Sequence, residues 1–447
     1  MPSPGTVLNA FATIFGVGVD LGELFGGEAS TASNTIRIHV GQQTGQDRAD
    51  GTRPGGSPQG DAPGITIWDG IGQLIGTIEG KGNIGDGSSK DYSFNTGADK
   101  RAAEYVSVSA SGSDGICIAA VTLSAANGNE YAWFGDVGKV CGVPWYHSSN
   151  KIGAKTPACV WIDTNADKGH KYNGFSMHMP SFFDKYRNQE TADARQSQLE
   201  ENPALMCKSK PRFTMWDEIV PQNSIPYFLL PLMMEDGPDS STDKDIVFNT
   251  SPGENLWSES ETGVIEGQVG VGGVRSKDAD PCAVNRNDCH PSGPSAEENL
   301  ALNDPVEVTR RKRKLRRRQE IKARIMPDDL NISPHPYHSA RELCEDPFSE
   351  GPDFVSLAES LYCDMSTLDN RKQLYPLCSE AASTNCFDME SYSIRGEGGS
   401  GSIAEVSIPS STGSVSLSLA SGAPVTRVIV PMSSVPSKAY GNVNNWQ

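Results

Sequence analysis

The segment Asp163-Thr-Asn165-Ala-Asp167-Lys-Gly169 spaces three oxygen donors two residues apart. Alternating Asp and Asn side chains let one tight loop wrap a hard cation, and Ca2+ takes roughly six to eight oxygens. Asp163, Asn165 and Asp167 are therefore candidate calcium ligands, and calcium is the one cofactor the chain suggests. The loop departs from an EF-hand, because Lys168 stands where the sharp-turn glycine belongs and no bidentate Glu closes the loop. An Asx-rich surface turn is the competing reading. His170 and His178 flank an apolar segment close by, so Asp163, Asp167 and His178 also form a candidate acid-base cluster for a hydrolase.

Trp133, Trp145, Tyr146 and Trp161 crowd the sequence around Asp136 and the Cys141–Cys159 interval. Aromatic rings exposed at the loop ends of a β-sandwich stack on sugar rings while polar neighbours bond the hydroxyls. Trp133, Trp145 and Tyr146 are thus candidate ligand-binding residues, with core tryptophans packed against a disulfide as the alternative. Gly80-Lys-Gly-Asn-Ile-Gly85 matches G-x-G-x-x-G, but Asp86-Gly-Ser-Ser follows where a dinucleotide site requires a helix, so it reads as a turn.

Arg310-Arg-Lys-Arg-Lys-Leu-Arg-Arg-Arg318 is the sharpest local signal. Residues 310–324 hold ten Lys or Arg and one Glu, in a chain of net charge −18. Paired basic residues in a secreted precursor are processing sites, which marks Arg311, Arg313, Arg317 and Arg318. An anion-binding helix, a nuclear-localisation patch and a solvated helix against the acidic body are the alternatives. The acidic remainder disfavours nucleic acid as a partner of the whole protein. Sequons at Asn249 and Asn331 predict N-glycosylation and argue against the nucleus.

The ten cysteines are Cys117, Cys141, Cys159, Cys207, Cys282, Cys289, Cys344, Cys363, Cys378 and Cys386. No C-x-x-C occurs, so neither a zinc ribbon nor a thioredoxin-like site has a foothold. An even count in an irregular chain predicts a disulfide framework, which persists only in oxidising compartments. Cys282 and Cys289 are expected to close a small loop. No run of apolar residues is long enough to span a membrane. The apolar stretch from Val7 to Val19 lacks a basic leader, so a secretion signal removed upstream is expected, and Leu8–Phe25 reads as a short helix docked on the body.

These residues need elements to position them. With 46 Gly and 29 Pro in 447 residues, the chain favours short strands and many turns. Half-buried alternation at Asn34–Val40 and apolar runs at 64–68, 73–78, 105–109, 116–123 and 130–134 predict an N-terminal β-sandwich. The Asn127-Gly128 pair marks a hairpin. Residues 34–235 are read as this sandwich-like domain with a mixed extension, including a helix within Phe182–Glu201. Residues 236–303 read as an acidic disordered linker, and 304–326 as a basic helix opened by Asp304-Pro305. Residues 327–395 are expected to form a cysteine-rich helical segment, with Asp353–Tyr362 as one helix. The Ser/Gly-rich tail from 396 carries strand-like Ser414–Leu419 and Val425–Val430, expected as edge strands of the sandwich. The fold class is mainly β, α+β overall.

Trp133-Phe-Gly-Asp-Val-Gly-Lys-Val-Cys-Gly-Val-Pro-Trp-Tyr146, Cys159-Val-Trp-Ile-Asp163, Gly351–Asp364 and Leu374-Tyr-Pro-Leu-Cys378 resemble secreted cysteine-rich proteins of filamentous ascomycete fungi. The resemblance implies an extracellular fungal protein and carries no catalytic residue with it. In pattern, residues 34–140 are also similar to the lipid- and carbohydrate-associated sandwich modules attached to lipases. The function expected is non-enzymatic binding to a glycan, cell wall or host surface, as an effector or adhesion-like protein. A secreted hydrolase and a toxin precursor matured at 310–318 are the alternatives.

Overall fold

The computed structural model describes Phe25 and residues 33–43, 57–151, 156–164, 172–187, 189–221, 223–229, 257–260, 329–365, 372–379, 384–396, 440 and 442–446. It is mainly β, with several sheets and few short helices. Outside the described residues lie the Val7–Val19 stretch, the helix expected at Leu8–Phe25 apart from Phe25, Asn165, Asp167, His170, Asn249, Cys282, Cys289, the helix expected at 304–326 with its basic run, and the strands expected at 414–419 and 425–430.

Two antiparallel sheets form the sandwich. In the first, Ile116–Ser124 is flanked on one side by Ser33–Val40 and then Ser89–Asn95. Its other edge is shared. Cys159–Ile162, followed by Trp145–Tyr146, runs along residues 116–118, and Glu130–Phe134 runs along 120–124. The second sheet has the order Phe213–Trp216, Gly174–His178, Tyr105–Ser109, Gly64–Trp68, Leu74–Ile78. Strand Ser33–Val40 buries every second side chain, and Ile36, Ile38 and Val40 meet Ile65, Ile67, Val106, Val108, Phe175 and Met177 in one core.

The unbroken apolar run of Ile116–Ser124 has a structural cause. His39 pairs with Ala120 and Val40 with Ile118, so a bulge at Ala119 resets the alternation. Ile116, Ile118, Val121 and Leu123 all face the sandwich core, whereas Cys117 and Ala119 face outward. That outward face is covered by a third sheet, ordered Gln373–Pro376, Leu361–Asp364, Asp353–Ser356, Asp329–Ser333, Asn442–Asn445. The result is three stacked β layers. A strand buried on both faces reads as continuously apolar.

Four disulfides staple the described residues. Cys117–Cys159 joins neighbouring strands of the first sheet. Cys141–Cys207 ties the helix Asp136–Cys141 to the helix Ala204–Cys207. Cys344–Cys363 pins the helix Ala340–Glu345 to the third sheet, and Cys378–Cys386 closes a short loop. Turn chemistry agrees at Gly80-Lys-Gly-Asn-Ile-Gly85. A Cβ on Gly80 would sit 1.9 Å from the Ala62 carbonyl oxygen, and Gly82 has a φ of +73°.

Several expectations are corrected. The described residues of 327–395 form strands and, among them, one short helix, and Asp353–Tyr362 belongs to a hairpin with a turn between its strands. Within 236–303, Trp257–Glu259 is a strand paired with Pro226–Phe228. The helix expected within Phe182–Glu201 is confined to Gln189–Glu201, and Phe183–Asp184 pairs instead with Glu130–Phe134. The strands expected at 414–419 and 425–430 lie outside the described residues, and among the described residues of the tail Asn442–Asn445 is an edge strand of the third sheet, parallel to Asp329–Ser333.

Candidate functional site

The aromatic cluster is inside the molecule. Trp133 lies in the sandwich core, with its ring 4.8 Å from Phe175 and 5.9 Å from Phe213, centroid to centroid. Trp145, Tyr146 and Trp161 project from the outer face of the first sheet into the seam beneath the third sheet. There they meet Ala340, Leu343, Phe354, Met365 and Trp446. Their polar ends are satisfied across that seam. Tyr146 Oη donates to the Pro352 carbonyl at 2.9 Å and accepts from Asn331 Nδ2 at 3.1 Å. The Trp145 indole N–H donates to Asp346 Oδ2 at 2.8 Å, and that of Trp161 to the Glu350 carbonyl at 2.9 Å. Buried indoles and phenols usually find such partners, although the indole N–H groups of Trp133 and Trp446 have none. Trp133, Trp145 and Tyr146 are all fully enclosed, so none of them offers a ring face to a sugar. The expectation of a glycan platform built from these three is corrected on that ground.

Asn331 is corrected for the same reason. It is buried in strand Asp329–Ser333, between Asp353–Ser356 and the edge strand of the third sheet, donating to Tyr146 and accepting from Asn444 Nδ2 at 2.8 Å. A glycosylated amide requires a surface position, and this one is inside the protein.

The structure does not bring Asp163 and His178 together, and Asp167, the third member of the expected acid-base cluster, lies outside the described residues. Asp163 is buried where its N–H donates to the Tyr172 carbonyl, and a Cβ on Gly115 would meet its side chain at 3.1 Å. His178 stands at the far end of the strand that begins at Gly174. At about 3.3 Å per residue the strand separates the two regions by roughly 13 Å. Among the described residues no group of three or more His, Cys, Asp or Glu is arranged to hold a metal ion.

Around His178 a different constellation forms. Its Nδ1 is 2.8 Å from Ser181 Oγ, and its Nε2 is 3.5 Å from Glu104 Oε2. The strand pairing sets this up, because His178 lies opposite Tyr105, the residue after Glu104. The His178 ring packs 4.6 Å from Tyr105 and 5.7 Å from Phe228. Tyr105 Oη accepts from the Phe228 N–H at 3.0 Å, and burial holds the phenol far above its ordinary range. A hydroxyl, an imidazole and a carboxylate in a row is the arrangement that activates a nucleophile. Here Ser181 is only 2% exposed and His178 8%, while Glu104 reaches the surface. The carboxylate end is open and the hydroxyl end is closed. Sequence reasoning found His178 and missed Glu104 and Ser181. The local spacing His178-Met-Pro-Ser181 was a signal for the serine, but nothing in the sequence linked Glu104.

A second cluster of perturbed groups lines the seam. Burial pushes the Asp136 carboxyl up to about 7, opposed by the Lys139 ammonium. Burial also raises Glu342, whose Oε2 accepts from Lys139 Nζ at 3.3 Å. The Lys139 ammonium lies 4.6 Å over the Trp145 ring. Nearby, His147 Nε2 donates to the Ser339 carbonyl at 3.1 Å, and its ring sits 5.1 Å from His338. Burial drives His147 well below the usual imidazole range, and takes His338 down to about 3. These groups interlock the sandwich and the third sheet.

The surface has its own signals. Ile71 and Tyr186 are 65% and 64% exposed, and Val220, Leu229, Tyr337 and Leu357 are exposed as well. Ile71 belongs to a turn beside Tyr227, because a Cβ on the adjacent Gly72 would touch the Tyr227 ring at 2.6 Å. No helix among the described residues is long and apolar enough to cross a membrane. No protein-family model matches the chain, and no curated protein matches it.

Proposed function

We propose that this chain is an extracellular, disulfide-stapled binding protein that recognises a glycan, cell-wall or host-surface partner without catalysing its conversion, and that it is matured by cleavage in the basic run. The observation that carries the reading is sulfur chemistry. All eight described cysteines are paired within the chain, a state that an oxidising compartment sustains. The likeness of the 133–146, 159–163, 351–364 and 374–378 blocks to secreted fungal proteins supports the same placement. With the tryptophans enclosed, the contact residues pass to the loops. Ile71, beside Tyr227 at one end of the second sheet, and Tyr186 hold apolar surface in water. Such side chains gain about 1.5–3 kcal/mol each when a partner covers them.

Binding of the purified native protein to cell-wall preparations and to a glycan array tests the reading. Ile71→Ala and Tyr186→Ala should each lower the signal. Undiminished binding by both variants contradicts it.

One observation favours a second reading, a hydrolase acting through Glu104, His178 and Ser181 in place of Asp163 and Asp167. The imidazole lies within 2.8 Å of the hydroxyl and 3.5 Å of the carboxylate. Ester and glycoside hydrolysis screened with wild type, His178→Ala and Ser181→Ala separates the two. Turnover lost in both variants establishes the enzyme.

A further inference from the structure

The seam between the sandwich and the third sheet divides the chain at one connection. Every described residue up to Ser260 lies on one side, and residues 329–396 and 440–446 form the unit on the other. That unit has a small core of its own, in which Leu330, Ile332, Val355, Tyr362, Tyr375 and Phe387 pack together. Two disulfides close within the first body and two within the second, so none of them crosses the seam. Cys282 and Cys289 precede the basic run, and the four C-terminal cysteines are already paired with one another. No sulfur is left to link the two bodies across a cut at 310–318.

What crosses the seam is packing and polar pairing. Ser349 bridges to Trp145 as an isolated parallel pair, and the Glu350 N–H donates to the Trp145 carbonyl at 2.9 Å. The Tyr146 ring lies flat on Gly351, where a Cβ would come within 2.3 Å of Tyr146 Cδ2. Gly142, at a φ of +66°, makes room for the Phe348 ring in the same way. Lys139 pairs with Glu342, and the His147 ring packs 5.1 Å from His338 and 5.3 Å from Phe354. An apolar centre with aromatic anchors, satisfied hydrogen bonds and desolvated charge pairs is the anatomy of a stable protein–protein interface.

We infer that the sandwich face carrying Trp145, Tyr146 and Trp161 is a protein-docking surface whose partner is the unit formed by the third sheet of the same chain, and that the pair persists as a non-covalent two-chain complex once the connection between them is severed. The inference stands on the seam alone and does not depend on the ligand-binding reading above. Cleavage at the basic run would then yield a two-subunit protein whose smaller subunit is releasable, not one held by a disulfide.

The test places a site-specific protease sequence between residues 292 and 303 of the full-length chain, after Cys289, and cuts it at neutral pH. Non-reducing denaturing gels should show two species, and native size exclusion one. A single non-reducing band, or two separate native peaks at micromolar concentration, overturns the inference. Tyr146→Phe removes the donor to Pro352 and the acceptor for Asn331 while keeping the ring. In the cut protein it should raise the dissociation constant of the two pieces about ten- to thirty-fold, from two hydrogen bonds of about 1 kcal/mol each. Uncut Tyr146→Phe should keep the wild-type circular dichroism, showing that the chain still folds. An unchanged dissociation constant overturns the assignment of the docking face.

Discussion

Replacing both Cys141 and Cys207 with alanine should destabilise the protein by about 4 kcal/mol through chain entropy, because this disulfide closes the longest loop of the four described, with a sequence separation of 66. The bridge joins the helix Asp136–Cys141 to the helix Ala204–Cys207. Both sulfurs are buried against the sandwich core, which includes Val137, Leu205 and Met206. Alanine keeps the small apolar volume there, so the loss is chiefly freedom regained by the unfolded chain. Urea unfolding followed by tryptophan fluorescence reads it, since Trp133 reports on the same core through its contacts with Phe175 and Phe213. The midpoint should fall, and the slope should rise somewhat because the unfolded chain without this cross-link exposes more surface. By the same arithmetic, loss of Cys378–Cys386, separated by only 8 residues, should cost about 2.5 kcal/mol. If the long-range pair costs less than about 1 kcal/mol, or less than the short one, the staples are not holding the fold as argued.

Further outcomes follow from single sites. Burial lowers His147 and His338, whose unfolded imidazoles titrate near 6.5, so their contribution is complete above about pH 6.5 and is lost as pH falls toward 3. Asp136 and Glu342, raised by burial, act in the opposite sense and partly offset this. His338→Gln should therefore flatten the fall in stability between pH 6.5 and 5 by about 2 kcal/mol, and identical pH profiles of melting temperature for variant and wild type count against the buried-imidazole account. Gly351→Ala should cost about 1–3 kcal/mol by forcing the Tyr146 ring aside, measured by thermal unfolding. Mass spectrometry of natively produced protein should find Asn331 without a glycan, and Asn331→Ala should destabilise by about 1–3 kcal/mol by removing a donor to Tyr146 Oη and the acceptor of Asn444 Nδ2.

The sandwich was legible because its strands carry period-two or continuous apolar runs bounded by Gly, Pro and Asn. The strands at 34–40, 64–68, 105–109 and 130–134 fall where the pattern places them. The hairpin at 353–364 was not. Phe354, Leu357 and Leu361 recur at helical spacing, yet Leu357 is exposed in a turn and Ser360 takes a φ of +54°. Strand pairing on both sides and the Cys344–Cys363 bridge override that local pattern. The aromatic cluster at 133–161 read either as an exposed ligand platform or as core tryptophans, and the structure encloses all four rings; sequence could not say that Trp145, Tyr146 and Trp161 are covered by another part of the same chain. The covering sheet lies about two hundred residues further along the chain, as the 201-residue separation of Trp145 and Asp346 shows. Glu104 escaped notice because strand register alone brings it to His178.

The account rests most directly on the oxidation state of its sulfur. Natively produced protein, denatured without reductant and titrated for thiols, should leave Cys117, Cys141, Cys159, Cys207, Cys344, Cys363, Cys378 and Cys386 unreactive, with peptide mapping returning the four pairings described. Free thiols at most of these positions would contradict it.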